Sequence, residues 1–387
     1  MTQTKRRLIS AALMAGMLFL SSIYSLQGVL LTNLIEHYSL SVSAQGLASS
    51  AASLGGVIAL VSSILLIGRV PKLTLLKISF LICSVFLALL SFAPAFGLFL
   101  LLWLVLGLGM GYIDTLLSSC MADLYTGRKG TRMMCLLHML YGVSAMVCPV
   151  IYTSLLKAGI EWRRVYLPVS LAGAVLTVYA VIVARGLSKG DKDLKMNFRD
   201  MAKVIRSGSL PWLILAMLCH GFFLGGLNTW ISRYISVSLG SAIGDTALTY
   251  LFSGVMISRL VVPYLPFSPK KYVRFAGLLS GAVLLLAIPF HSGLLMAVAV
   301  FIAGILFGAM IPCALDIGCA ITKESSMLAT TLMMLALYVS QVIVSPIVGI
   351  IDAAVGLDYG IALLGVFMML TSACCMRIKA NLGGIHI

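Results

Sequence analysis

The sequence predicts an all-α membrane protein, with twelve transmembrane helices arranged as two parallel six-helix repeats. Three observations carry this. Of the 387 residues, 61% are hydrophobic and only 10% charged, with a mean hydropathy of +1.09. Ordinary soluble domains carry roughly 25% charged residues, so apolar surface on this scale has to lie in lipid. Twelve stretches of about 20 apolar residues follow one another, each long enough to cross a bilayer as a helix. The lysines and arginines between them fall almost entirely on one side.

In chain order, span 8–35 follows Lys5, Arg6 and Arg7. That basic flank resembles a secretory signal, but the apolar run is too long for a signal core and reads as a retained first helix. Spans 42–67 and 73–94 bracket a loop with Arg69 and Lys72. Span 97–121 contains one carboxylate, Asp114, and no other charged side chain. Span 133–156 follows Arg128, Lys129 and Arg132, and span 165–184 closes the first half. Segment 185–210 is the longest connection. Its Met196, Phe198, Met201, Ala202, Val204 and Ile205 alternate with Arg199, Lys203 and Arg206, which predicts an amphipathic helix on the inner surface. Spans 211–236, 246–266, 273–290, 293–318, 328–351 and 359–376 follow. Expected domains are therefore a bundle over 1–184, a cytoplasmic linker over 185–210 and a bundle over 211–387. Backbone amides in lipid must bond within their own segment, so the spans are helices.

With the N-terminus inside, 22 lysines and arginines lie on the cytoplasmic side and four (Lys157, Arg163, Arg164, Arg233) outside; Arg259 alone lies well inside a span. Both termini are thus expected in the cytoplasm, in a bacterial inner (plasma) membrane. The net charge of +15 reads as positive-inside topology and contact with anionic lipid, not as nucleic-acid binding. Nine cysteines in apolar surroundings read as packed free thiols, without a metal framework. No cofactor is expected, and the chain is read as a monomer.

The halves repeat. Ser21, Ser25, Gly28 and Thr32 form a small polar face on span 1; 200 residues later Gly221, Gly225, Asn228 and Ser232 form the same face on span 7. Gly55 matches Gly254 and Gly109 matches Gly308 at an offset of 199, while Leu140-Tyr141 with Pro149 matches Leu337-Tyr338 with Pro346 at 197. Two parallel six-helix repeats of this kind resemble the major facilitator superfamily. That resemblance implies alternating access around a midplane site lined by spans 1, 4, 7 and 10.

Asp114 is the sharpest functional signal. An ionised carboxylate at mid-bilayer costs at least ~2.5–3.5 kcal/mol on insertion scales, so it needs a partner, a water-filled cavity or a proton. Gly107, Gly111, Asp114 and Ser118 share one helical face, whose glycines let a helix or ligand come close. An acid that exchanges a proton at working pH is what a proton-coupled symporter requires.

"GMGYIDTLLS" (109–118) resembles the span-4 motif of the fucose permease (fucose–galactose–glucose:proton symporter) branch, with Asp114 on the acidic position. "HMLYGVSAMVCP" (138–149), "LNTWISRYI" (227–235) and "FSGVMISRL" (252–260) resemble its spans 5, 7 and 8. The resemblance implies that Asp114 carries the proton and that polar groups of span 5 touch sugar. The chain departs from the branch in lacking an acid on span 1, where Gln27 is the nearest strongly polar group. It has His220, Phe222 and Phe223 where many relatives have a span-7 glutamate, and Ser118 where they have asparagine. The superfamily's loop 2–3 signature is reduced to "GRVPK" (68–72), which keeps Arg69.

Candidate roles follow. Asp114 and His138 are expected to couple protons; the alternatives are Asp114 as a structural partner of His138 and His138 as a packed side chain. Gln27, Ser118, Tyr141, His220, Asn228, Trp230 and Gln341 are candidate substrate contacts; a packed His220 and an interfacial-belt Trp230 stay open. Arg259 and Asp316 are expected to pair as a gating couple, with Arg69 at the inner gate; Arg259 could instead hold an anionic substrate. The expected function is proton-coupled symport of a small polar solute such as a sugar or polyol. The alternatives are export of amphiphilic compounds and transport of an organic anion through Arg259. No HExxH, GxSxG or Walker motif points to an enzyme.

Overall fold

The computed structural model describes residues 2–40, 47–66, 69–184, 202, 205–206, 208–266, 268–322 and 326–378. It is helical, with no strand among those residues. The first six helices are α1 (Gln3–Tyr38), α2 (Leu47–Leu66), α3 (Lys72–Leu90), α4 (Phe96–Leu124), α5 (Gly127–Lys157) and α6 (Tyr166–Ala184). Then come α7 (Leu210–Arg233), α8 (Ala247–Val261), α9 (Pro269–Ala287), α10 (Gly293–Phe307), α11 (Met310–Ile321), α12 (Ser326–Val355) and α13 (Leu357–Met376). Among the described residues, eleven segments are long and apolar enough to cross a membrane, and the shorter apolar helix Ala51–Leu66 lies in the remaining expected span.

The chain divides into two units: Met1–Leu124 with Leu137–Lys195, and Tyr125–Leu136 with Met196–Ile387. The first turns of α5 thus group with the second unit and the remainder of that helix with the first. Most of segment 185–210, with its expected amphipathic helix, lies outside the described residues.

Within each unit, glycines set how closely helices approach, since without a Cβ two backbones can touch. A Cβ on Gly55 of α2 would stand 2.0 Å from the Leu104 carbonyl oxygen of α4, and one on Gly107 would stand 2.2 Å from the Ala52 oxygen. The second unit repeats both contacts. A Cβ on Gly254 of α8 would stand 2.3 Å from the Phe301 oxygen of α10, and one on Gly304 would stand 2.5 Å from the Leu251 oxygen. Gly111 lies against Gly56 as Gly308 lies against Val255. These contacts correct one expected match: Gly308 is the counterpart of Gly111, 197 residues earlier, rather than of Gly109. Gly109 instead faces Cys83 of α3.

The tenth expected span differs from a single helix. It breaks between α10 and α11, and the reason is chemical. Pro312 has no N–H for the Gly308 carbonyl four residues back, and the next amide, Cys313, bonds Ala309 instead. Arg259 of α8 fills the gap, its Nε donating to the Gly308 oxygen at 3.0 Å. The Ala309 amide donates to Ser258 Oγ at 3.1 Å and Tyr272 OH at 3.2 Å, and Tyr272 donates in turn to the Leu306 oxygen at 2.6 Å. Irregular backbone at membrane depth persists only when groups like these satisfy it.

A prediction follows. Arg259→Met removes the donor from a buried carbonyl and should cost about 1–3 kcal/mol of stability. Pro312→Ala restores an intrahelical donor, so Arg259→Met/Pro312→Ala should recover part of that loss. Thermal unfolding of the four proteins in detergent reads the cycle; losses that simply add would contradict it.

Candidate functional site

Asp114 lies on α4, whose other ionisable acid is Asp123 in its last turn. It is half-buried while its neighbours Ile113, Thr115, Leu116 and Leu117 are buried, so the carboxyl-bearing side chain keeps accessible surface. The expected stripe splits by role. Gly107 and Gly111 are pressed onto α2, and Ser118 is buried with its Oγ 3.3 Å from Nε2 of buried His138 on α5.

Hydroxyls tie α1 to α5. Ser21 donates to the Tyr141 carbonyl and Ser144 to the Leu18 carbonyl, each at 2.8 Å, and Tyr152 to the Ser22 carbonyl at 3.1 Å. Beside these bonds the first unit holds a cleft of about 430 Å³, lined by Ser21, Tyr24, Ser25, Val29, Tyr141, Ala145 and Pro149. The Tyr24 and Tyr141 rings stand 6.2 Å apart at 57°. Pro149 inside α5 cannot donate to the Ala145 carbonyl, and both residues line the cleft. Of the expected contacts, Tyr141 lines this cleft. Gln27, half-buried one turn beyond Tyr24, is not among its lining residues. Sequence reasoning missed Tyr24 as a site residue; its signal was its position three residues from Ser21 on the small polar face.

In the second unit the expected face divides. Gly221 packs on the Leu337 backbone and Gly225 on Gln341 of α12, so their side of α7 is a helix contact. Asn228 is exposed and Gln341 half-buried. Trp230 is half-buried with its ring beside Gly349, and its indole N–H has no partner among the described residues. His220 is 1% exposed, its ring edge-on to Phe307 at 5.5 Å, and neither ring nitrogen has a hydrogen-bond partner among the described residues. That corrects the expectation of a substrate contact: aromatic packing encloses the imidazole.

The expected Arg259–Asp316 couple is also corrected, because each is given a different partner. Arg259 caps Gly308, and Asp316 of α11 accepts from Thr131 Oγ1 at 2.6 Å. Pro312 is what draws the guanidinium away. Arg69 is exposed in the turn after α2. The ion pair beside it, unforeseen from the sequence, is Lys72 Nζ to Asp123 Oδ2 at 2.6 Å. Lys72, the last residue of "GRVPK", is only 3% exposed; a buried ammonium needs such a partner.

A sequence model described as the Major Facilitator Superfamily matches residues 12–317. Among curated proteins, Protein TsgA of Salmonella schwarzengrund is 23% identical over 231 residues, 58% of this chain and 58% of that relative. Protein TsgA of Salmonella typhi matches over the same share. Among solved structures, the E. coli fucose:proton symporter FucP aligns with a TM-score of 0.79 at 16% identity, over 97% of this chain and 100% of that one. The human organic anion transporter MFSD10 (TETRAN) gives 0.77 at 13%, over 96% and 99%. The proton:xylose symporter XylE bound to 6-bromo-6-deoxy-D-glucose gives 0.76 at 12%, over 96% and 95%. The fold is theirs, and the apolar spans, the duplicated glycine contacts and the matched sequence lead to one conclusion: the chain belongs to the major facilitator superfamily.

Proposed function

We infer that this transporter couples import of a small polar solute, a sugar or polyol, to the proton gradient, with Asp114 as the proton carrier. The observation that carries this reading is the half-buried state of Asp114 on an otherwise apolar stretch of α4. A carboxyl group at that depth with accessible surface has the access a proton needs. Two similar structures are of proton symporters, FucP and XylE, which supports the same reading. The α1–α5 cleft supplies aromatic faces from Tyr24 and Tyr141 and the Ala145 carbonyl, groups that suit the ring and hydroxyls of a sugar. The lysine and arginine asymmetry supports both termini in the cytoplasm of an inner membrane, the basic side against anionic lipid, and we take the working unit to be the monomer.

Export of amphiphiles has its own support: the Ser21 and Ser25 hydroxyls are spent on the Tyr141 and Ser21 carbonyls, which leaves Val29, Ala145 and Pro149 prominent in the cleft. Purified protein in liposomes separates the two. With acid imposed outside, labelled hexoses, pentoses, polyols and organic anions are screened for uptake. The symport reading expects one of the sugars or polyols to accumulate above its external concentration, and only to equilibrate without the gradient. Gradient-driven extrusion of a lipophilic dye, with no solute accumulated, would contradict it.

A further inference from the structure

The first two turns of α5 hold a cluster that the Asp114 reading does not use. Segment Tyr125–Leu136 groups with the second unit, and its contacts there are specific. Thr131 Oγ1 donates to Asp316 Oδ2 at 2.6 Å, the length of a hydroxyl bond to an ionised carboxylate. Gly130 leaves room for the other oxygen: a Cβ there would stand 3.1 Å from Asp316 Oδ1. The Arg132 guanidinium lies over the Tyr264 ring at 4.3 Å, and Arg128 donates to the Leu265 carbonyl at 3.5 Å. Lys129 lies over Tyr125. Beneath, the Cys135 and Cys313 thiols are fully buried. Besides the first turns of α5, with Arg128, Lys129 and Arg132, α11 packs on α9, with Lys270, Lys271, Tyr272 and Arg274, on α7, with His220, and on α12. The titratable thiols are Cys135 and Cys313. Arg128, Lys129 and Arg132 lie against π faces and a carbonyl, whereas Asp316 holds a hydroxyl.

We propose that Asp316 and Thr131 form a proton-operated latch on the cytoplasmic end of α5. Ionised, the Asp316 carboxylate grips Thr131 and keeps the first turns of α5 on α11. On taking a proton it loses the charge that strengthens this bond, and the turns come free. Because α5 is one helix from Gly127 to Lys157, release of its first turns tilts the same rod that carries His138, Tyr141 and Pro149. Asp316 is thus a positioning residue that acts through α5, distinct from the carrier Asp114.

Cys135 reports the latch. The full chain in liposomes is treated with N-ethylmaleimide, and labelling of Cys135 is followed by peptide mass spectrometry. Each rate is divided by that of the same cysteine in unfolded chain at that pH. Moving from mildly alkaline to mildly acidic buffer should raise the corrected rate about tenfold, the shift expected on losing a charged hydrogen bond. Asp316→Asn should be fast at both pH values. Thr131→Val should match it, and Thr131→Ser, which keeps the donor, should restore the pH response. If Asp316→Asn does not fold, the Thr131 pair carries the test alone. A flat wild-type profile, a Thr131→Val profile like the wild type, or an Asp316→Asn protein that keeps the wild-type response overturns the latch. Labelling needs no substrate, so its failure and that of the Asp114 reading are distinguishable.

Discussion

Asp114→Asn is expected to abolish uphill transport while leaving exchange intact. With one proton per solute, a gradient of one pH unit, worth about 1.36 kcal/mol, supports about tenfold accumulation. Asparagine has nearly the volume of aspartate but exchanges no proton, so the accumulation ratio should fall to about one. Counterflow of labelled against unlabelled solute needs no net proton movement and should persist. The variant should also fold, because the amide is easier to keep in the membrane than a carboxylate. Loss of exchange together with accumulation would mean that Asp114 binds solute or holds structure. An unchanged response to the gradient would remove it from coupling.

The second large effect is structural. Gly55→Ala sets a methyl group 2.0 Å from the Leu104 carbonyl oxygen and 2.7 Å from the Leu108 amide nitrogen. Both neighbours are backbone, so no rotamer change relieves the clash and α2 and α4 must separate. Overpacking typically costs about 1–3 kcal/mol, and more when backbone must move; here the upper end or beyond is expected. Gly254→Ala should do the same between α8 and α10, where Phe301 and Ile305 replace Leu104 and Leu108. Gly56→Ala is the control, because its Cβ would meet nothing closer than the Gly107 oxygen at 3.9 Å. Removing a helical glycine there should be neutral or stabilising by up to about 1 kcal/mol. The fraction of monodisperse protein in detergent, with its melting temperature, ranks the three. Equal behaviour of Gly55→Ala and Gly56→Ala would refute the close-packing account.

Much of the fold was legible because lipid imposes length and hydropathy on every span. Internal duplication was legible too, but its register was not. The contacts follow an offset of 199 between α2 and α8 and of 197 between α4 and α10. Connections absorb the missing residues, so a single offset assigned Gly308 to Gly109. Asp114 became a candidate from sequence alone because one acid in an apolar run stands out. Partner choice was hidden. Thr131 and Asp316 are 185 residues apart, and nothing in either neighbourhood names the other. Arg259 was expected to seek a carboxylate, yet Pro312 lay four residues beyond Gly308 and implied a carbonyl in need of a donor. Tyr24 was masked because an aromatic on an apolar helix reads first as packing.

Infrared titration of the reconstituted protein measures the carrier most directly. A band from a protonated carboxyl group should appear as pH falls, vanish in Asp114→Asn, and respond to the transported solute. If every carboxyl band in wild type survives unchanged in Asp114→Asn, no proton resides on that residue and it is not the carrier.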